Sequence, residues 1–550
     1  MTSSATSAGH QSADGVSPPS VLVVGAGPVG LVAACELARQ GVVPRLVDAL
    51  PQPTTQYRAV GVQSRSQEML AALGALERIE ELSLPQVAIE IDAPRPNGFT
   101  PLVRIGLTGV PSRYPALLNL PQTDTEAVLR ARAAELGVTV ERGVTLTGLT
   151  TDETGADVAL ATASGVEHAR VDWVVGADGG HSRVRSAVGS RLEGRFRGSH
   201  FIVADVSVDA GFDRGSTRLF AAASGGLTVM MCMLHQRTRL MFQVLDPGPD
   251  PATPALADIQ RLASQRMGGG VRLYDPESIS YYTIRHAQVP RYRVGRVLLA
   301  GDAAHIHSPA GGQGMNTGMQ DAANLGWKLA LVCRGLADPR LLDSYHDERH
   351  PVGAQVVRRT TLMANAMTLS GPAARVRNTV MRTVGHAGRV RRAMAESISE
   401  VSVAYPRSPV VAGRGVRRLG SPRPGSHAAD IPGLTTVGGE PVAIGDLLRR
   451  PGHLLLALTA DPALVAQLGE TLGPIGAVVP VVRASSAALP TAVVDPAGAV
   501  ARGYGVGPRG LVLIRPDGYF GYLSTSTDPV ALRTYLDTRL HALPSATSSV

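Results

Sequence analysis

VLVVGAGPVGLVAACELARQGVVPRLVD, residues 21–48, is the stretch that decides the fold. Its first four residues are a short apolar, β-branched run, the mark of a strand buried in a parallel sheet. GAGPVG (25–30) follows. LVAACELARQG (31–41) then carries its apolar residues at helical spacing and closes on Gly41, a suitable helix-ending residue. VVPRLVD (42–48) reads as the next strand, which completes one strand–helix–strand unit. Gly25, Gly27 and Gly30 fall at GxGxxG spacing in the turn. The first permits the tight turn, the second lets the backbone approach a pyrophosphate, and the third lets the helix pack closely on the strand. The helix N-terminus offers free N–H groups and a partial positive charge to phosphates. Asp48 ends the second strand about 20 residues on, where a carboxylate accepts ribose hydroxyls. The unit predicts dinucleotide binding.

Working outward, the 550-residue chain is three or four domains long at roughly 150 residues each. With 44% hydrophobic residues it can bury sizeable cores, which excludes disorder throughout. The 61 glycines and 39 prolines follow no period, so a collagen-like fibre is excluded too. Basic residues outnumber acidic ones by 53 to 45, a net charge of +8, and Lys328 is the single lysine. No basic run of nucleic-acid-binding length occurs, so no nucleic acid partner is expected, while a mild positive field favours anionic small molecules. Cys35, Cys232 and Cys333 are far apart and never CxxC, which argues against a disulfide framework and for a reducing cytoplasm. Residues 1–19 read as a flexible leader rather than a signal peptide. No stretch of about 18 apolar residues suggests a membrane span.

The pattern along the chain is α/β. A second unit of the first kind closes at DWVVGADGG (172–180) and a third at GRVLLAGDAAH (295–305). RLFAAASGGLTVMMCML (218–234) and RLMFQVL (239–245) alternate instead, as strands of an antiparallel sheet do. The expected organisation is a Rossmann-like domain over 20–185 and 291–404, the second segment ending in helices. An antiparallel-sheet substrate domain (186–290) is inserted into it. A linker rich in Pro, Arg, Gly and Ser (405–426) leads to a separate domain over 427–545. In that domain GLVLIRPDGYFGYL (510–523) predicts a hairpin around Pro-Asp-Gly.

Together these stretches resemble the flavoprotein aromatic hydroxylases built on the p-hydroxybenzoate hydroxylase fold, the group A flavoprotein monooxygenases. GAGPVG with Asp48 matches that family's adenosine site, and VVGADGGHSRVR (174–185) matches its DG motif. GRVLLAGDAAHIHSPAGGQGMNTGMQDAANLGWKLA (295–330) matches its GD motif and flavin loop. The likeness covers about 20–375. The C-terminal segment resembles the thioredoxin-like domain of polyketide-tailoring members. It lacks CxxC, and no Cys follows Cys333, so it cannot run dithiol chemistry. Scaffolding or dimer contact is the expected role, in a monomer or homodimer.

The resemblance implies FAD as cofactor, NADPH or NADH as reductant and O₂ as co-substrate. The reaction it implies is hydroxylation of a polycyclic aromatic small molecule through a flavin C4a-hydroperoxide, with the cofactor carrying the hard chemistry. Baeyer–Villiger insertion uses the same fold, and no residue decides between the two. Gly301 and Asp302, at a strand's C-terminal end, suit the flavin ribityl chain. The loop from Pro309 through Gly312 to Gly314 has little bulk, so its backbone can approach a flat ring. The resemblance sets Met315 and Asn316 beside the isoalloxazine, Arg58 and Gln122 against the cofactor, and the carbonyl of Pro309 beside the reacting substrate. Pro309 and Arg58 are thus the candidate catalytic positions. Asp178 either touches cofactor or caps its own turn, with Arg183 near phosphate or paired to it. Phe220, Leu227, Val229, Met231, Met233 and Phe242 suit a broad flat ligand and suit an ordinary core equally. HDERH (346–350) spaces two histidines for zinc, but Asp replaces the expected Glu and Pro351 follows at once, so no metal is expected.

Overall fold

The computed structural model describes residues 20–544, apart from 56–58, 96–97, 222–225, 245–246, 249–250, 269, 307–311, 368, 370 and 417–420. The opening unit forms as its pattern predicts. Strand β1 (Val21–Val24) turns through glycine into helix α1 (Pro28–Arg39), and β2 (Arg45–Asp48) returns parallel to β1. Strands β3 (Val140–Arg142), β4 (Trp173–Gly176), β5 (Arg293–Val294) and β6 (Val297–Leu299) complete a sheet of order β5-β6-β4-β1-β2-β3. Only β5 runs antiparallel to its neighbour. Leu22, Val23, Leu46, Val174 and Leu298 are wholly buried, as both-face burial of β-branched and leucine runs requires.

The turn explains its glycines. Gly25 has φ +103°, and a Cβ there would lie 2.4 Å from the Ala177 carbonyl oxygen. A Cβ on Gly30 would lie 1.8 Å from the Gly25 carbonyl oxygen, so any side chain drives α1 off β1.

Between β6 and the C-terminal sheet lie, among the described residues, four α-helices: α2 (Gly314–Cys333), α3 (Asp343–Met367), α4 (Gly371–Gly385) and α5 (Gly388–Ile398). No helix among the described residues is long and apolar enough to cross a membrane.

The second layer is an eight-stranded sheet, largely antiparallel, with Glu193–Asp209 and Arg272–Gln288 as its longest pair, second and third from one edge. It recruits two strands from far upstream, Ala88–Arg95 and Gly98–Gly106, the first of which pairs parallel with Ser216–Ala221. Its two faces bury separate cores. Leu227, Val229, Met241 and Phe201 pack under Met381 of α4 and Met394 and Ile398 of α5. Phe220, Phe242, Met230 and Cys232 pack instead against the helix Leu256–Met267.

The C-terminal sheet has seven strands, ordered Ala412–Arg414, Phe520–Ser524, Leu511–Ile514, His453–Ala457, Gly476–Val482, Val493–Val494 and Thr435–Thr436. The Pro-Asp-Gly hairpin is present, with Leu511–Ile514 antiparallel to Phe520–Ser524. The described parts of the connection over 405–426 make tertiary contacts. Tyr405 is buried and its hydroxyl accepts a hydrogen bond from Arg349 at 2.9 Å, while the Val410 carbonyl accepts one from the Tyr535 hydroxyl at 2.9 Å.

Candidate active site

Because β1, β4 and β6 are parallel neighbours, their C-terminal ends reach one edge of the sheet together. That edge is where an open α/β sheet binds its ligand. It gathers the three motifs: Gly25–Gly30 after β1, Ala177–Gly180 after β4, and Gly301–Asp302 after β6. The motifs touch. A Cβ on Gly301 would meet Val29 of α1 at 2.8 Å, and one on Gly318 of α2 would meet the same valine at 2.7 Å.

Gly27 differs from its two partners. It is the N-cap of α1, no side chain caps the helix there, and a Cβ built on it meets nothing within 4 Å. The first-turn N–H groups therefore face open space, a cradle that fits a pyrophosphate. Asp48 steadies it: one carboxylate oxygen accepts the Ala26 N–H at 2.6 Å, the other the Leu50 N–H at 2.9 Å and Arg142 at 3.3 Å. A carboxylate offers about four acceptor positions, so room remains for a ribose hydroxyl.

Asp178 caps its own turn. Its carboxylate accepts the Ser182 hydroxyl at 2.5 Å and the backbone N–H groups of Arg183 at 2.6 Å and Val184 at 3.1 Å. The arginine that bridges motifs is Arg185, which sequence reasoning passed over. It donates to the carbonyls of Ala303 at 3.1 Å and Gly180 at 2.8 Å.

Beneath the GD turn lies a wholly buried group that composition and spacing did not signal. Asp321 of α2 accepts the Gly301 N–H at 3.2 Å, His305 Nε2 at 2.7 Å and Arg349 Nε at 2.6 Å. Burial pushes the Asp321 carboxyl up, but the charges of Arg349 and His305 outweigh it and hold the group below its usual value. Asp302 stands half-buried at the rim. Gly312 has φ +64°, and Gly314 starts α2. Met315 is buried. Asn316 laces the loop to the Gly61–Val62 strand: its oxygen accepts the Gln63 N–H at 2.9 Å, and its amide donates to the carbonyls of Gly61 at 2.9 Å and Gly312 at 2.8 Å. Gln122 accepts the Ala59 N–H at 3.2 Å and donates to Glu126 at 2.8 Å. Pro309 and Arg58 lie outside the described residues.

The six sheet residues do not share one wall. Leu227, Val229 and Met231 alternate onto the face under α4 and α5. Phe220 and Phe242 both oppose Thr228 in the ladder, and so point to the other face. Phe220 and Phe242 thus fall to the ordinary-core side of their two readings, a correction to their candidacy as substrate-facing residues, and its cause is the two-residue period of a strand. Met233 is buried just past the end of its strand. Arg239, opposite Met231, forms a buried bidentate pair with Asp205 at 2.9 and 2.7 Å. The histidines of HDERH tie α3 to the segment before β6: His346 Nδ1 accepts the Tyr292 N–H at 3.3 Å, and His350 Nε2 lies 3.1 Å from the Val289 carbonyl.

Three motif loops gathered at a parallel sheet edge, with a largely antiparallel sheet beside them, fit a dinucleotide coenzyme. A family model described as an FAD binding domain matches residues 19–360, and the chain belongs to this family of FAD-dependent monooxygenases. It is 34% identical to 6-methylpretetramide 4-monooxygenase of Streptomyces rimosus, over 96% of this chain and 95% of that one. Among solved structures, it superposes on the anhydrotetracycline hydroxylase OxyS of Streptomyces rimosus with a TM-score of 0.75 at 28% identity, covering 95% of this chain and 99% of the other. Aklavinone-11 hydroxylase, solved with FAD and aklavinone, superposes with a TM-score of 0.76 at 25% identity, over 95% and 99% of the chains.

Proposed function

We propose that the protein hydroxylates a polycyclic aromatic substrate of polyketide type, consuming NADPH or NADH together with O₂. The observation that carries this reading is the apolar wall of Leu227, Val229 and Met231 in a chain that matches 6-methylpretetramide 4-monooxygenase over almost its whole length. FAD, when bound and reduced, would activate O₂, one atom of which goes to the substrate. The chain's own residues do the rest. The first turn of α1 holds the pyrophosphate, Asp48 a ribose and Asp302 the ribityl chain. Gly312, Gly314 and Met315 border the ring, which Asn316 supports by holding the loop in shape. Arg58 and Pro309 keep the cofactor-side and substrate-side roles that the family pattern implies. The valine, leucine and methionine wall orients a planar guest and keeps water from the reacting carbon. The C-terminal domain fits a thioredoxin-like scaffold: Gly476–Val482 pairs parallel with His453–Ala457, which pairs antiparallel with the hairpin, and the helices Pro462–Leu472 and Pro529–Arg539 pack together.

The test is rapid mixing of the FAD-loaded protein with NADPH or NADH and a polycyclic phenol, followed by product mass and NMR. The expected product is the phenol with one added ring hydroxyl, and the substrate should speed flavin reduction. A lactone or ester product, or flavin reduction with no oxygenated product from any polycyclic phenol, overturns the reading.

A further inference from the structure

Residues 351–395 contain eight arginines and no Asp or Glu, a charge equal to the +8 of the whole chain. The other 505 residues therefore sum to zero, and the positive field belongs to the end of α3, to α4 and to α5. Some of these arginines hold structure: Arg377 donates to the carbonyls of Met367 at 3.0 Å and Ala221 at 3.1 Å, and Arg359 to the Ser397 hydroxyl at 2.9 Å. Arg391 and Arg392 do not. Both are exposed, and neither side chain has a hydrogen-bond or ion-pair partner among the described residues. They line a cavity of about 260 Å³ with Gly106, Gly109 and Ala395. A Cβ on either glycine would meet nothing within 4 Å, so the floor is bare backbone open to a ligand. Ala395, one turn beyond Arg391, belongs to the core shared with Leu227 and Val229, so the cavity sits at the outer rim of the substrate-facing layer.

We propose that the cavity between α5 and the end of the Gly98–Gly106 strand is an oxyanion subsite, which takes the charged end of a small molecule bound by the enzyme. Consecutive helix positions lie about 100° apart, so two guanidiniums approach one guest from different sides. Planar guanidinium forks suit phosphate and carboxylate oxygens. The volume falls below the roughly 300–1,000 Å³ that holds a whole drug-sized ligand, so the cavity fits an end group rather than a ring system. The basic helices around it raise the local concentration of anions. Two sources share this chemistry: the 2′-phosphate of NADPH and a carboxylate on the aromatic substrate. Naming these sources rests on the monooxygenase reading, but anion binding itself does not.

The test uses the full FAD-loaded chain, whose own pyrophosphate cradle is filled, and the double variant Arg391→Gln/Arg392→Gln. Titration calorimetry with inorganic pyrophosphate at low ionic strength should show binding to the wild type that weakens at least tenfold in the variant, with the melting temperature unchanged. Failure of the wild type to bind, or equal binding by the variant, overturns the proposal. Steady-state kinetics then separates the sources. A KM for NADPH that rises about tenfold, with kcat and the KM for NADH unchanged, assigns the nucleotide. A KM that rises for a carboxylated aromatic but not for its decarboxylated analogue assigns the substrate. If no KM moves, the proposal fails. A chain that oxygenates no aromatic fails the functional reading alone, and the calorimetric result still decides the subsite.

Discussion

Gly27 and Gly30 stand three residues apart and answer to different neighbours. The space beside Gly30 is filled by protein, and that beside Gly27 is open. Gly30→Ala should therefore leave no soluble folded chain. Gly27→Ala should fold, and its apoprotein should melt with the wild type, yet its FAD dissociation constant should rise at least tenfold, or about 1.4 kcal/mol, in a fluorescence titration. Glu400 makes a second point about single residues. It is buried with φ +59° and accepts the Thr317 hydroxyl at 3.0 Å, beside Gln320 of the same helix. Burial pushes its carboxyl up to about 7, against the opposing pull of the Thr317 hydrogen bond and the Arg349 charge. A folded value above the unfolded one means that the native state holds the proton longer. This group's contribution to stability is then present below about 4.5 and is lost as pH climbs towards 7. Glu400→Gln should flatten that part of the stability–pH curve and raise the melting temperature at pH 8. An unchanged curve would refute the assignment.

Among the elements, α2 is the one on which the others converge. Its first turn carries Met315 and Asn316, Asp321 holds the GD turn one and a half turns on, and Lys328 lies beyond that. Lys328 donates to Glu348 of α3 at 2.8 Å, and Glu348 also receives Arg515 from the C-terminal hairpin at 2.6 and 2.9 Å. Asn324 joins both sides, donating to Glu348 at 2.6 Å and to Asp517 at 3.1 Å. Burial pushes Lys328 down to about 8 despite the Glu348 charge, whereas the Arg515 and Lys328 charges hold Glu348 below its ordinary range. Arg515→Met takes the arginine from buried Asp517 and leaves Glu348 with Lys328 as its one cationic partner, so it should destabilise the protein by about 3–5 kcal/mol in a denaturant titration. Lys328→Met, which leaves Glu348 with Arg515, should cost less. None of this socket could be read from the chain, because its partners lie up to 193 positions apart and no local period marks them. What could be read was local: the glycine turn with its flanking strands, the Pro-Asp-Gly hairpin, and the GD block. The strands Ala88–Arg95 and Gly98–Gly106 escaped because their sheet partner begins at Ser216. Which side Phe220 and Leu227 face could not be read either, because a hairpin's register decides it.

For the molecule as a whole, the C-terminal domain is continuous with the coenzyme domain. Trp327 and Leu331 of α2 share a core with Leu455, Leu513 and Leu536. Arg65 reaches the Asp517 carbonyl, and Glu68 pairs with His427 at 2.7 Å. Scanning calorimetry should accordingly show one cooperative transition, and a chain ended at residue 426 should aggregate, with its half of that core exposed to water. Two resolved transitions would show the domains to be independent. The burial of Lys328 has an outcome outside the chemistry of the site. It is the single lysine and is wholly enclosed, so the native surface offers amine-directed reagents no lysine at all. An N-hydroxysuccinimide dye should mark only the terminal amine while the domains hold together. A second label would then count molecules that have sprung apart, and carrier beads or fluorophores coupled through amines would attach at one end, in one orientation.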